Sequence, residues 1–259
     1  MVRIGSARID EHGKISGGVA GDQNGKEVST QAWYLHKKGW IVLRAKDNFA
    51  RLSIAAAMEA ACANDFIGYD QLHNQTLYAL AKPLRYNPSL VKTPCSTDCA
   101  KLVRVCVLYA GISVPDFYTG NERSVLMGTG KFEMLNAPKY TQSSDYLLRG
   151  DILVTAAKGH TAVVLDDGPR SSQDNIRKHS TVANPYREPV ETIRLGSSGD
   201  GVRWLQTALN LKGGYGLIVD GEAGPLTIAA LKNYQKQVFP NEPTEWDGVC
   251  GPKTKTKLR

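Results

Sequence analysis

The chain has 259 residues, a net charge of +7, 42% hydrophobic and 22% charged residues, which is ordinary globular composition and enough length for two domains of ~100–200 residues each. No run of ~18 apolar residues occurs, so a membrane-spanning helix and membrane insertion are not expected, and the first ten residues hold no apolar core of signal-peptide length. The mild basic excess suits a polyanionic partner; no Lys/Arg cluster is interleaved with aromatics, so nucleic acid is not an expected partner.

In chain order, residues 1–45 alternate turn-rich and strand-like pieces, with Gly17, Gly18 and Gly21 as punctuation and Trp40-Ile41-Val42-Leu43 as a short buried strand. Asp47 caps a helix expected to run to about Asn64 on strong helix formers. A loop carrying Ile67-Gly68-Tyr69-Asp70-Gln71 leads to a helix over 74–82 that ends before Pro83, and residues 83–96 read as loop. An apolar helix follows from Cys99 to Ala110, stopped by Gly111. Residues 115–145 read as loop with short helical pieces. Asp151–Thr155 and His160–Leu165 form a hairpin across Ala156–Gly159. Residues 168–189 are polar and irregular, as a linker is.

The last segment holds an internal repeat. Asp220-Gly221-Glu222-Ala223-Gly224-Pro225-Leu226-Thr227 recurs 27 residues later as Asp247-Gly248-Val249-Cys250-Gly251-Pro252-Lys253-Thr254. Each copy reads as a turn feeding a helix start, with positive φ expected at Gly224 and Gly251 and proline in the first helical turn. Another loop-to-helix piece precedes them, with Val202, Leu205 and Leu209 on one face.

Five cysteines (62, 95, 99, 106, 250) make an odd number, which argues against a disulfide framework. The spacing Cys95-x3-Cys99-x6-Cys106 lacks a second close pair and a nearby His, so no metal and no cofactor is expected. Chemistry concentrates at Thr97-Asp98-Cys99-Ala100. Asp98 is a good N-cap, which puts Cys99 in the first helical turn, where unpaired N–H groups and the macrodipole favour a thiolate. Cys106, two turns deeper, reads as buried. His160 opens an apolar strand directly after Gly159 and is the candidate base.

These segments resemble two known families. Residues 190–259 resemble the small three-helix peptidoglycan-binding domain, which implies bacterial peptidoglycan as partner. Asp98-Cys99 with Leu102-Val103, Arg149-Gly150-Asp151-Ile152-Leu153-Val154 and Gly159-His160-Thr161-Ala162-Val163-Val164 resemble the NlpC/P60 family of papain-like cell-wall cysteine peptidases and the related CHAP family. The usual Asp-Cys-Ser-Gly-Leu is here Asp98-Cys99-Ala100-Lys101-Leu102.

The resemblance implies an α+β papain-like catalytic domain over 1–167, a linker over 168–189 and an all-α wall-binding domain over 190–259. It implies Cys99 as nucleophile and His160 as base. Asp166 or Asp167 is the candidate to orient His160. Tyr69 matches the family's substrate-contacting Tyr, and Asp98, Asp22, Gln23 and Trp33 are further candidates for the cleft. The implied reaction is cleavage of an amide in the wall peptide stem, at the D-glutamyl–diamino acid bond or between muramic acid and L-alanine. A degenerate wall-binding protein is the non-catalytic alternative. Without a leader, the protein would reach the wall as a phage lysin does, after a separate pore-forming protein opens the membrane.

Overall fold

A computed structural model describes residues 1–157, 159–171, 184–213, 215 and 217–259. The chain divides into two compact units, Met1–Asp174 and Asn175–Arg259. The first is mixed α+β: β1 (Arg3–Ala7), β2 (Val28–Ala32), β3 (Trp40–Ala45), α1 (Asn48–Cys62), β4 (Ile67–Tyr69), α2 (Thr76–Ala81), β5 (Cys95–Thr97), α3 (Cys99–Tyr109), α4 (Glu122–Gly128), β6 (Phe132–Leu135), α5 (Pro138–Thr141), β7 (Ile152–Thr155) and β8 (Thr161–Val164). Six strands form one antiparallel sheet in the order β2-β1-β8-β7-β3-β6, and β4 pairs in parallel with β5.

Strand alternation gives this sheet two different faces. Gly5 and Val163 are cross-strand partners and share the face covered by helices. A Cβ at Gly5 would lie 2.6 Å from the Met58 side chain and 3.1 Å from that of Cys62, so α1 packs on the bare backbone there. Gly150, at φ 91°, lets the turn before β7 approach the carbonyl of Arg51 at a distance no side chain permits. Trp40, Val42, Leu153, Ala162 and Val164 line the other face with Val2 and Ile4. Helix α1 starts where Asp47 accepts the N–H of Ala50 at 2.7 Å.

β4, β5 and β6 all fall in stretches that the sequence led us to expect as loop. β5 is three residues long and gains its pairing from β4, a non-local partner invisible in its own composition. Pro83 sits inside a 3-10 turn, Lys82–Leu84, that continues α2. The expected linker is shortened at both ends. Gly168 donates to Leu147 O at 2.8 Å and the Ser171 hydroxyl to the same carbonyl, so these residues pack on the first unit. Asn184 donates to Trp204 O, and Lys255 to the carbonyls of Pro189, Val190 and Glu191, within the second unit. The expected linker's middle, residues 172–183, lies outside the described residues.

The second unit is helical: α6 (Asp200–Gly213), α7 (Pro225–Val238) and α8 (Pro252–Leu258) around Val202, Leu205, Leu209, Leu231, Tyr234 and Leu258. Its repeat has a specific physical basis. Buried Gln206 on α6 donates to Asp220 Oδ1, Glu222 O and Thr227 Oγ1 and accepts the N–H of Gly221. Buried Gln235 on α7 repeats this with Asp247 Oδ1, Val249 O, Thr254 Oγ1 and the N–H of Gly248. Positive φ falls on Gly221 and Gly248 (82° and 77°). Gly224 and Gly251, expected there, are extended N-caps at −79° and −88°, with the prolines at the first helical positions.

Gln235→Leu keeps the volume but strands the Gly248 N–H and takes one of two hydrogen bonds from the Val249 carbonyl, which keeps that from the Gly251 N–H. At ~1–3 kcal/mol per buried unsatisfied group, the loss is about 2 kcal/mol. The unfolding transition of the C-terminal unit should fall by ~10 °C or more in calorimetry.

Candidate active site

Helix α3 is buried along nearly its whole length. Its two cations reach out past the core: Lys101 Nζ contacts Asp116 and the Phe117 carbonyl, and Arg104 pairs with Asp116 while lying over the Tyr78 ring at 4.1 Å. At the N-terminus, Asp98 Oδ1 accepts the Lys101 N–H at 2.8 Å, and Asp98 Oδ2 accepts from Asn74 Nδ2 at 2.7 Å. The cap is therefore as the sequence implied, and Cys99 occupies the first turn.

The surroundings of Cys99 differ from the expectation. Cys99 is 8% exposed. Burial pushes its thiol up to about 12, with further upward pushes from the carboxylates of Asp98 and Glu122. The backbone N–H groups of Thr161 and Ala100 act in the opposite direction. A thiolate favoured by the helix terminus alone is not what this environment holds in the unliganded state.

Glu122, in the first turn of α4, is the residue that sequence reasoning missed. An acidic residue at a helix start reads as ordinary surface capping, and no local signal marks it otherwise. Here it is 0% exposed. Its Oε1 accepts the Thr161 hydroxyl at 2.8 Å, and its Oε2 has no partner. Burial, with the Asp98 carboxylate adding, raises its pKa to about 8. Thr161 thus touches both groups, through its N–H to Cys99 and its hydroxyl to Glu122.

His160 points elsewhere. Its carbonyl accepts the Thr155 N–H at 3.0 Å, so it stands opposite Thr155, and Thr155 stands opposite Trp40. All three side chains fall on the face away from the helices. The His160 ring lies 6.4 Å from that of His36 and 6.3 Å from Trp40. Burial, then the nearby His36 and Arg8, lower it to about 4. The His160–Thr161 peptide supplies the N–H at Cys99, but the imidazole is turned to the opposite side of the sheet.

Asp166 does not orient His160. It is bound by Arg3 through the backbone N–H, Nε and Nη2 at 2.8, 2.9 and 2.7 Å. Tyr69 is brought to the Cys99 end of the fold, because β4 and β5 align Tyr69 with Thr97. It is buried, its pKa is raised to about 12 by burial, and its hydroxyl accepts from Gln71 Nε2 at 3.0 Å.

Asp22 and Gln23 carry turn chemistry. Asp22 accepts the N–H groups of Asn24, Lys26, Glu27 and Val28. The Gln23 amide donates to Ala20 O and Gly21 O. Buried Glu27 ties this loop to the site, accepting from Gln23 N and Tyr69 N. Trp33 packs on the Trp40–Val42 face of the sheet. Among the described residues no cluster of three or more His, Cys, Asp or Glu could hold a metal ion.

The family model of the endolysin-like domain matches residues 4–171, and that of a putative peptidoglycan-binding domain matches residues 198–258. No curated protein and no solved structure matches the chain.

Two outcomes follow from the geometry. With its thiol near 12, Cys99 in the native protein should react with iodoacetamide at pH 7 at least ~100-fold more slowly than a free thiol of pKa about 8.5; mass spectrometry of the alkylated peptide reads this. Glu122 binds its proton more tightly folded than unfolded. Its contribution to stability is therefore complete below pH 4.5 and is lost as pH rises through about 8. Glu122→Gln should flatten the fall in Tm across that window.

Proposed function

The chain belongs to the endolysin-like domain family and carries a peptidoglycan-binding domain match, and from that premise we propose that it is a peptidoglycan hydrolase cutting an amide of the peptide stem with Cys99 as nucleophile. The observation that carries this reading is the buried Glu122 carboxyl, which acts electrostatically on the Cys99 thiol and shares Thr161 with it as hydrogen-bond partner, with one oxygen left without a partner. A carboxyl raised to about 8 is well matched to move a proton at neutral pH.

The reaction runs as an acyl transfer. Cys99 Sγ attacks the stem carbonyl as its proton passes to Glu122 Oε2. The tetrahedral oxyanion collapses, the amine leaves with the proton returned by Glu122, and water then hydrolyses the thioester. Moving the proton from a thiol near 12 to a carboxyl near 8 costs roughly 5 kcal/mol. That fits within the ~16 kcal/mol barrier of a step at ~10 s⁻¹. The thiol stays protonated until substrate arrives.

A second reading keeps His160 as the base. It is favoured by the Gly159-His160-Thr161 pattern and by the contact of the adjoining Thr161 N–H with the sulfur; it requires the backbone at the start of β8 to turn the imidazole to the other face of the sheet. A glycosidase fits less well, because it needs two carboxyls flanking a sugar-binding cleft, and Asp98, the carboxylate that acts on Glu122, is committed to capping α3. For the bond, the NlpC/P60 resemblance favours D-glutamyl–diamino acid cleavage over the muramoyl–L-alanine amide. No helix among the described residues is long and apolar enough to cross a membrane.

Purified walls test the proposal. Cys99→Ala should abolish lysis while wall binding persists. Glu122→Gln should lower the rate at least ~100-fold, and His160→Ala by less than ~10-fold; the reverse ranking makes His160 the base. The wild-type rate should climb with pH up to about 8, where Glu122 gives up its proton, and Glu122→Gln should lose that limb. Mass spectrometry of the digest should show new amino termini. New reducing ends instead would mean a glycosidase, and intact walls would mean a binding protein.

A further inference from the structure

The loop between β1 and β2 folds back over the end of β4. Asp10 Oδ1 accepts the N–H groups of His12 and Lys14 at 3.0 and 2.6 Å. Glu11 Oε1 accepts that of Val19 at 2.9 Å, and Asp70 Oδ1 that of Gly17 at 3.3 Å. The Gln71 N–H reaches the Ile15 carbonyl at 3.0 Å. The loop is thereby drawn onto residues 69–71.

This fold-back buries negative charge. Asp10 is 1% exposed, Glu27 and Asp70 0%, and the Glu11 side chain 12%. The bases set against them are largely exposed imidazoles: His12 Nε2 lies 3.3 Å from Glu11, and His73 Nδ1 2.6 Å from Asp70. Burial raises the Glu27 carboxyl, and the charges of Asp22 and Glu11 add to it. Two oxygens stay unused. Asp10 Oδ2 and Glu11 Oε2 are shielded from solvent and have no hydrogen-bond partner. Buried carboxylates are normally paired or coordinate a metal.

A main-chain carbonyl meets these residues. A Cβ at Gly18 would lie 2.7 Å from Asp10 Cβ, 2.8 Å from Glu11 Oε2 and 3.1 Å from Tyr69 O, so all three residues crowd one bare backbone position. The Asp70 N–H pairs with Thr97 O, whereas the Tyr69 N–H leaves by the other edge of β4, to Glu27 Oε2 at 2.9 Å. Tyr69 O faces that same edge. Every group on offer is an oxygen, which is the chemistry of a hard cation. Calcium takes roughly six to eight oxygens, carbonyls and waters among them, in irregular geometry, whereas magnesium demands a near-ideal octahedron. Two carboxylates and a carbonyl suffice as the protein's share of a calcium shell.

We propose that the first unit binds one calcium ion through Asp10 Oδ2, Glu11 Oε2 and the Tyr69 carbonyl, with water completing the shell. The ion offsets the buried charge and pins the Asp10–Val19 loop to β4. Burial raises the Tyr69 hydroxyl, with Cys99, Asp98 and Asp10 adding, so Asp10 lies within electrostatic reach of the candidate active site. The ion belongs to the wall of that site and takes no part in the acyl transfer.

Calorimetric titration of calcium chloride into the full chain, stripped with a chelator and dialysed, tests this. One saturable site is expected, with a Kd on the order of 0.1–1 mM, as in extracellular modules. Asp10→Asn and Glu11→Gln keep the acceptors for His12, Lys14 and Val19 and remove only charge. Each should weaken binding at least 10-fold while melting no lower than the stripped wild type. Glu222→Gln, in the second unit, should bind as the wild type does. Saturating calcium should raise the Tm of the first unit by ~5 °C, and the same concentration of magnesium by less than half of that. Heat without saturation up to ~10 mM, or equal affinity in both loop variants, would mean that protons or water satisfy the two oxygens and would overturn the proposal. The titration reads the same in Cys99→Ala, so its outcome is independent of whether Cys99 cuts a peptide stem.

Discussion

Burial of the N-terminus of α3 governs the chemistry of the first unit. A helix terminus stabilises an anion by ~0.3–1 kcal/mol, and by ~2 in favourable cases. A thiol moved from 9 to about 12 by burial and neighbouring carboxylates corresponds to roughly 4 kcal/mol in the opposite sense. Burial wins, so Cys99 rests as a thiol. Any reaction at this sulfur therefore needs a proton acceptor in place at the moment of attack, and a resting ion pair does not supply it. Glu122 is the acceptor proposed above, and the same burial that protects the thiol raises its carboxyl to about 8.

The two-residue period of β8 partitions the unit. Thr161 and Val163 meet the helices, whereas Ala162 and Val164 meet the Trp40 cluster. His160, one step before Thr161, follows the second set. Cys99 and His160 are thus close along the backbone and opposed in side-chain direction. Which face an apolar strand presents to a helix is set by the packing of other elements. In Thr161-Ala162-Val163-Val164 every residue is buried, so the sequence carries no polar alternation to reveal the choice.

That explains the boundary between what was legible and what was not. The Asp47 and Asp98 caps, the α1 and α3 spans and the β7–β8 hairpin rest on local signals, and they appear where expected. Strand β5 depends on a parallel partner 28 residues earlier in register, Ile67 with Cys95. The burial of Glu122 depends on Thr161, 39 residues away. The Arg149-Gly150-Asp151 segment, read as a family signature, has a structural basis. Gly150 admits the α1 backbone, and Asp151 holds Arg44 through two 2.7 Å bonds. Motif likeness led to a cell-wall protein, and the family matched is the endolysin-like domain; part of what made the segment alike is packing.

The same distinction applies to the C-terminal repeat. Its Asp-Gly and Thr positions recur because each copy is clasped by a glutamine from the preceding helix, Gln206 or Gln235. Those glutamines are 1% exposed, and Thr227 and Thr254 are 3% and 2% exposed. Buried groups whose hydrogen bonds are already made inside the domain have none left for a ligand. The repeat therefore specifies how α7 and α8 are launched, and contact with the wall must fall to exposed positions of the unit, where the sequence of the two copies diverges. Glu222 against Val249 and Leu226 against Lys253 are divergences in which the charged member is exposed and the apolar member is half-buried. A duplicated fold can in this way present two unlike surfaces while keeping one internal joint.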